Sequence, residues 1–157
     1  MQDGGASITF FDRTYEEAFD LLVEARDYLA DRQWQDAEGL APVTRLILSC
    51  ETMRLTTRLV QVMAWLMVQR AVHAGEMRPE EADRPERRLG GHEICADQGP
   101  WDLSELPPRL RRLLDRSRTL YNRVARLDEM VHIRASQLRA IGAGEQLGPD
   151  DADNVPV

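Results

Sequence analysis

The amino-acid sequence predicts an all-α fold, an antiparallel three-helix bundle that dimerises through its long central helix. Three observations predict it. Apolar residues recur three and four apart in three separate segments, the spacing of one helical face. The middle segment, Val43 to Ala74, contains neither proline nor glycine, so at about 1.5 Å per residue it makes a helix roughly 48 Å long. No segment alternates apolar and polar residues convincingly as a half-buried strand would. With 157 residues, 43% of them hydrophobic, the chain can bury one core and is too short for two comfortable ones, so residues 1–141 are expected to form a single helical domain. Aromatic residues make up only 6%, which leaves Leu, Val, Met and Ala to fill that core.

The first helix is expected over about 14–33. Thr14 and Glu17 have the T-x-x-E spacing of a capping box, in which each side chain satisfies a backbone N–H at the other position. Tyr15, Ala18, Phe19, Leu22, Ala25, Tyr28 and Leu29 then follow at helical spacing, with Glu16, Asp20, Glu24, Asp27 and Asp31 largely on the other side. A connection from about Trp34 to Pro42 leads into the second helix.

The central helix, about 43–74, is apolar on two sides. Val43, Leu46, Cys50, Met53, Thr57, Val60, Ala64, Met67, Ala71 and Ala74 form an unbroken three-four stripe, expected to face the core. Leu48, Thr52, Leu55, Leu59, Val62 and Leu66 form a second. Left in water, that second stripe would exceed the few hundred Å² of apolar patch a soluble monomer usually shows. Leu48, Leu55, Leu59, Val62 and Leu66 are therefore the candidate dimer interface. Gly75 is placed to end this helix.

Breakers accumulate over 75–107 (Pro79, Pro85, Gly90, Gly91, Gly99, Pro100, Pro107), predicting a long loop of the kind that is functional or mobile, with a short helical turn possible around Glu80 to Arg88. The third helix is expected over about 108–139, carrying Leu110, Leu113, Ser117, Leu120, Val124, Leu127, Val131 and Leu138. Residues 142–157 have glycine, proline and acids without periodicity, the composition of a disordered acidic tail. Asp150, Asp151, Asp153, Val155 and Val157 are its candidate partner-binding residues, with valines as anchors and acids as flanking charge.

Charge is segregated by element. Residues 1–41 hold ten acids and three arginines, and residues 109–139 hold three acids and nine arginines, so the first and third helices complement each other as neighbours. Every basic residue is Arg. The longest charge-free stretch, Leu59 to Gln69, is far shorter than the ~20 residues that cross a bilayer. The opening residues do not read as a signal peptide, and two cysteines make no disulfide framework, so a cytoplasmic protein is expected, without membrane insertion.

The residues with chemical potential do not assemble into a motif. The nine arginines of the third helix could neutralise phosphates, making a nucleic-acid-binding regulator the alternative reading. A net charge of -7, no helix-turn-helix spacing and no interleaved aromatics favour a solvated bundle face. His92 and Cys95 in HEIC are spaced as two metal ligands, but His73, His132 and Cys50 fall on other elements and a zinc site needs four that converge. Ser, Cys, His and acids occur without a nucleophile motif, and no glycine-rich phosphate loop is present. No catalytic, cofactor or metal site is therefore expected.

Two segments, FDRTYEEAFDLLVEARDYLA (Phe11 to Ala30) and ETMRLTTRLVQVMAWLMVQRAVHAGE (Glu51 to Glu76), together with the arginine-rich third helix, resemble the alphaproteobacterial family of regulators of CtrA degradation, the RcdA family. Arg54 to Arg58 and Ala64 to Leu66 are the most specific parts. The resemblance implies a dimeric three-helix bundle acting as a non-enzymatic adaptor in cell-cycle-regulated proteolysis by ClpXP. Its implied partners are a protease, response regulators and substrates.

Overall fold

The computed structural model describes the backbone of residues 3–145 and the side chains of residues 10–143, and all regular structure among them is helical. The order is α1 (Asp3–Asp27), a π-helical turn (Tyr28–Arg32), α2 (Gln33–Ala37), α3 (Pro42–His73), α4 (Pro79–Ala82), a 3-10 turn (Pro85–Arg87), α5 (His92–Cys95) and α6 (Pro108–Glu145). The fold class is all-α.

The first helix begins well before Thr14. Thr14 is buried within α1 and its hydroxyl donates to the Phe10 carbonyl at 3.0 Å, a bond back along the helix rather than a cap. Glu17, the other half of the expected capping box, pairs with Arg123 instead. Phe11 explains why the helix continues upstream: its ring packs on Trp65 and His73, with centroids 5.9 and 5.0 Å away. The π-helical turn then keeps buried Tyr28 in the core as the chain passes into α2.

Pro42 occupies the first turn of α3, where its missing N–H costs nothing. At the other end Gly75 adopts φ 74°, the left-handed conformation that closes a helix. Glu76 N–H donates to Ala71 O and Gly75 N–H to Val72 O, the paired bonds of a Schellman turn. The third helix outruns its expected limit near 139 and continues to Glu145, taking in the first residues assigned to a tail. The tail candidates Asp150, Asp151, Asp153, Val155 and Val157 lie outside the described residues.

The antiparallel order expected for the helices fails at the third. α1 does run against α3, since Phe11 meets Trp65 and His73 while the Arg70 guanidinium sits over the Tyr15 ring. But α6 runs parallel to α3: Thr44 bonds Glu105 just before α6, Arg58 reaches Leu114, and Trp65 reaches Asp128, so both residue numbers rise together. Parallel neighbours cannot be joined by a short turn. The connection after α3 must travel back along the helix pair, and that is why the chain spends residues 75–107 on it.

This segment is consequently a strap rather than a free loop. Its residues descend the helix pair in sequence order: Asp83 pairs with His132 and Arg139, Arg88 with Asp128, Gly90 with Gln61 and Tyr121, Ala96 with Asn122, and Gln98 with Arg118. Leu89, Cys95 and Leu106 are buried along the way. Two hubs hold it. Asp128 accepts Trp65 Nε1 at 2.7 Å, Arg88 at 2.9 Å and the Leu89 N–H at 3.4 Å, joining α3, α6 and strap at one carboxylate. The second hub is Arg58.

Candidate interaction surface

The surface that α3 presents follows from how its inner face is used. Leu48, Leu55, Leu59, Val62 and Leu66, the expected dimer interface, are between 0 and 2% exposed and belong to the core of the single chain. The assignment of the two stripes is thus reversed. Val43, Leu46, Met53, Val60 and Met67, expected to face the core, are 54 to 71% exposed, and Cys50 lies among them.

The physical reason is Arg58. A charged residue beside a leucine stripe reads as marking the solvent side, but here Arg58 is fully buried, with Nε donating to Cys95 O at 2.8 Å, Nη2 to Asp97 O at 2.6 Å and Nη1 to Leu114 O at 3.3 Å. Burial, and then the neighbouring charge of Arg54, pull its pKa down from the usual arginine value. Arg54 donates to Ile94 O on the same strap. Polar residues at 51, 54 and 58 therefore widen the inner face of α3 because the strap lies on them. The leucines between them face inward too.

What remains outside is a long apolar stripe with a depression beside it. Thr52, Met53, Thr56, Thr57, Val60 and Gln61 of α3, with Leu29, line a groove of about 380 Å³. A groove of this size flanked by exposed Met53 and Val60 can accept an apolar side chain from another surface. A second exposed apolar group, Met130, Ile133, Leu138 and Ile141, lies on the C-terminal part of α6.

The basic third helix is partly neutralised from within. Arg116 pairs with Glu24 and Arg123 with Glu17, joining the acidic α1 to α6 as their charges foretell, while Arg118 pairs with Asp115 and Arg139 with Asp83. Four of the nine arginines are thus already matched. Among the described residues no three His, Cys, Asp or Glu side chains converge as metal ligands. His92 is exposed and packs edge-on against Tyr121, whereas Cys95 is buried, with burial pushing its thiol pKa up against the pull of Arg58 and Arg54. That thiol is held protonated and out of reach of solvent. No described helix is long and apolar enough to cross a membrane.

Comparison with known proteins bears on the same residues. Residues 3–147 match the family described as "Protein of unknown function (DUF1465)". The crystal structure of RcdA from Caulobacter crescentus CB15 is 41% identical in sequence and superposes with a TM-score of 0.62, covering 78% of this chain and 91% of the other. No curated protein matches the sequence.

Proposed function

Because the chain belongs to the DUF1465 family and shares 41% identity with RcdA over most of its length, we propose that it is a non-enzymatic adaptor in regulated proteolysis that works as a dimer. The similarity to RcdA is the observation that carries this reading. In it, the chain helps bring cell-cycle response regulators of the CtrA type to the ClpXP protease in the cytoplasm, and performs no chemistry itself. Two copies held together double each binding surface and raise the effective concentration at which substrate and protease meet.

The dimer is assigned to α3, through the opposite face from the one first expected. The stripe of Val43, Leu46, Cys50, Met53, Val60 and Met67 is apolar and unpartnered in the single chain, and its groove offers a seat for side chains of a second α3. Binding to nucleic acid through α6 is the weaker reading, since its arginines are partly spent on Glu17, Glu24, Asp83 and Asp115.

The decisive experiment is degradation in a purified system. ClpXP, a CtrA-type response regulator and the relevant upstream factors are combined with and without this protein, and the regulator is followed over time. A several-fold faster loss that depends on protein concentration supports the reading. An unchanged rate, together with no protease or regulator co-purifying from cells, would refute it.

A further inference from the structure

The C-terminal half of α6 carries a face that neither the core nor the proposed dimer uses. Arg126, Met130, Ile133, Gln137 and Ile141 succeed one another at intervals of four and three, with Arg134 beside them, and all six are exposed on one side of the helix. Met130 is 57% and Ile141 67% exposed, so apolar surface is left in water. This is also where α6 outruns its neighbour. Trp65 bonds Asp128 and the two helices run parallel, so α3, ending at His73, stops level with about Ser136 while α6 continues to Glu145. Helices in proteins draw most of their stability from a packed apolar face. Here that face is open.

The charges on it say what would cover it. From Met130 to Gly144 the chain has no acidic residue, and Arg126 and Arg134, four residues to either side of Met130, make no ion pair among the described residues, unlike Arg116, Arg118, Arg123 and Arg139. The two stand about 12 Å apart along the helix. A partner helix with carboxylates at that separation and an apolar side chain midway meets both arginines and Met130 at once. An anionic bilayer fits less well, because α1, paired to the same helix through Glu17 and Glu24, belongs to a segment with ten acids and three arginines, and the whole chain carries -7. Such a surface would repel it.

We propose that this face of α6 docks an acidic amphipathic helix of a partner protein, its apolar side chain seated on Met130 and Ile133 between carboxylates that pair with Arg126 and Arg134. Apolar anchors one turn apart give the contact its affinity, and the flanking charges fix its register and exclude basic segments. The proposal deepens the adaptor reading and rests on it for the partner's role. Peptide binding reads the surface without the protease, so the two can fail separately.

Fluorescence anisotropy of the full chain with a labelled, alanine-based helical peptide of about 20 residues, built on the pattern E-x-x-x-L-x-x-x-E, tests this. Binding is expected with a dissociation constant below about 0.1 mM, at least about tenfold weaker when the peptide's acids become lysines or its leucines become serines, and weakened further by salt. Arg126→Glu combined with Arg134→Glu should weaken the acidic peptide about tenfold or more and restore binding of the lysine peptide. Met130→Ser combined with Ile133→Ser should weaken it similarly, whereas Arg112→Glu, near the start of α6, should leave it unchanged. All five side chains are exposed, so these variants keep the fold. No binding below about 0.1 mM, or equal binding of acidic and lysine peptides, overturns the proposal. Retention on phosphatidylglycerol vesicles that is lost in Arg126→Glu with Arg134→Glu overturns it in favour of a membrane surface, and self-association lost in the same variant overturns it in favour of a second copy.

Discussion

Arg58 connects sequence to architecture more directly than any other residue. Its planar fork donates to carbonyls of Cys95, Asp97 and Leu114, so one side chain ties α3 to the strap and to α6. Arg58→Met would keep most of the buried volume while leaving the Cys95 and Asp97 carbonyls without their side-chain donor, Leu114 O keeping the Ser117 hydroxyl, and urea denaturation should show a loss on the order of 3 kcal/mol. Arg58→Lys should recover little of this, because an ammonium cannot reach three divergent acceptors from one plane. Gly99 is the complementary case. Its positive φ and its closeness to Arg54 both oppose a side chain, so Gly99→Ala should destabilise by about 1 kcal/mol or more in the same assay. Neither role is written in the sequence. An arginine next to leucines has the same local pattern whether it faces water or a returning strap, and only the strap, distant in sequence, decides.

The strap illustrates how an element is shaped by the elements it joins. Its acid dependence can be derived from Asp83, whose side chain is 5% exposed. Burial pushes that carboxyl up, but hydrogen bonds and charge from His132 and Arg139 outweigh it and hold its pKa below the usual aspartate value. A depressed carboxylate stabilises the fold above its unfolded pKa of ~3.9, and that contribution is lost as pH falls through the folded value. Unfolding free energy should therefore fall below about pH 4, and Asp83→Asn should be less stable at pH 7 and show a smaller further loss on acidification. Reach gives a second expectation. A linker spanning much of a helix roughly 48 Å long needs about 14 extended residues, so replacing 76–105 with eight Gly/Ser residues should abolish cooperative unfolding. The helices themselves were legible: the long apolar periods, Pro42 and Gly75 mark α3 closely, and acidic α1 against basic α6 follows from charge. Their direction was not. Breakers over 75–107 announce a connection but not that its carbonyls and acids are matched one by one to α3 and α6.

At the scale of the whole molecule, the reversed stripes change where the proposed dimer would form. The core stripe, Leu48 to Leu66, is spent within the chain, so Leu59→Asp would place a charge in the interior and unfold the protein rather than separate two copies. The outer stripe is free for assembly. A strip about 48 Å long and ~10 Å wide offers roughly 500 Å² per copy, less than the ~800 Å² per partner of a standard interface, which argues for dissociation in the micromolar range rather than a permanent dimer. Light scattering should accordingly move from the 17.9 kDa monomer towards twice that mass as concentration rises through micromolar values. Thermal stability should rise with concentration in parallel, because only the folded chain associates. Met53→Glu combined with Val60→Glu should remove both dependences while leaving the monomer folded, since these side chains are 71% and 54% exposed. Cys50 reports the same event chemically. Its exposed thiol should be alkylated readily in dilute protein and more slowly in concentrated protein, while buried Cys95 resists in both. A Cys50 rate independent of concentration, with mass fixed at one chain, would remove α3 as the assembly face.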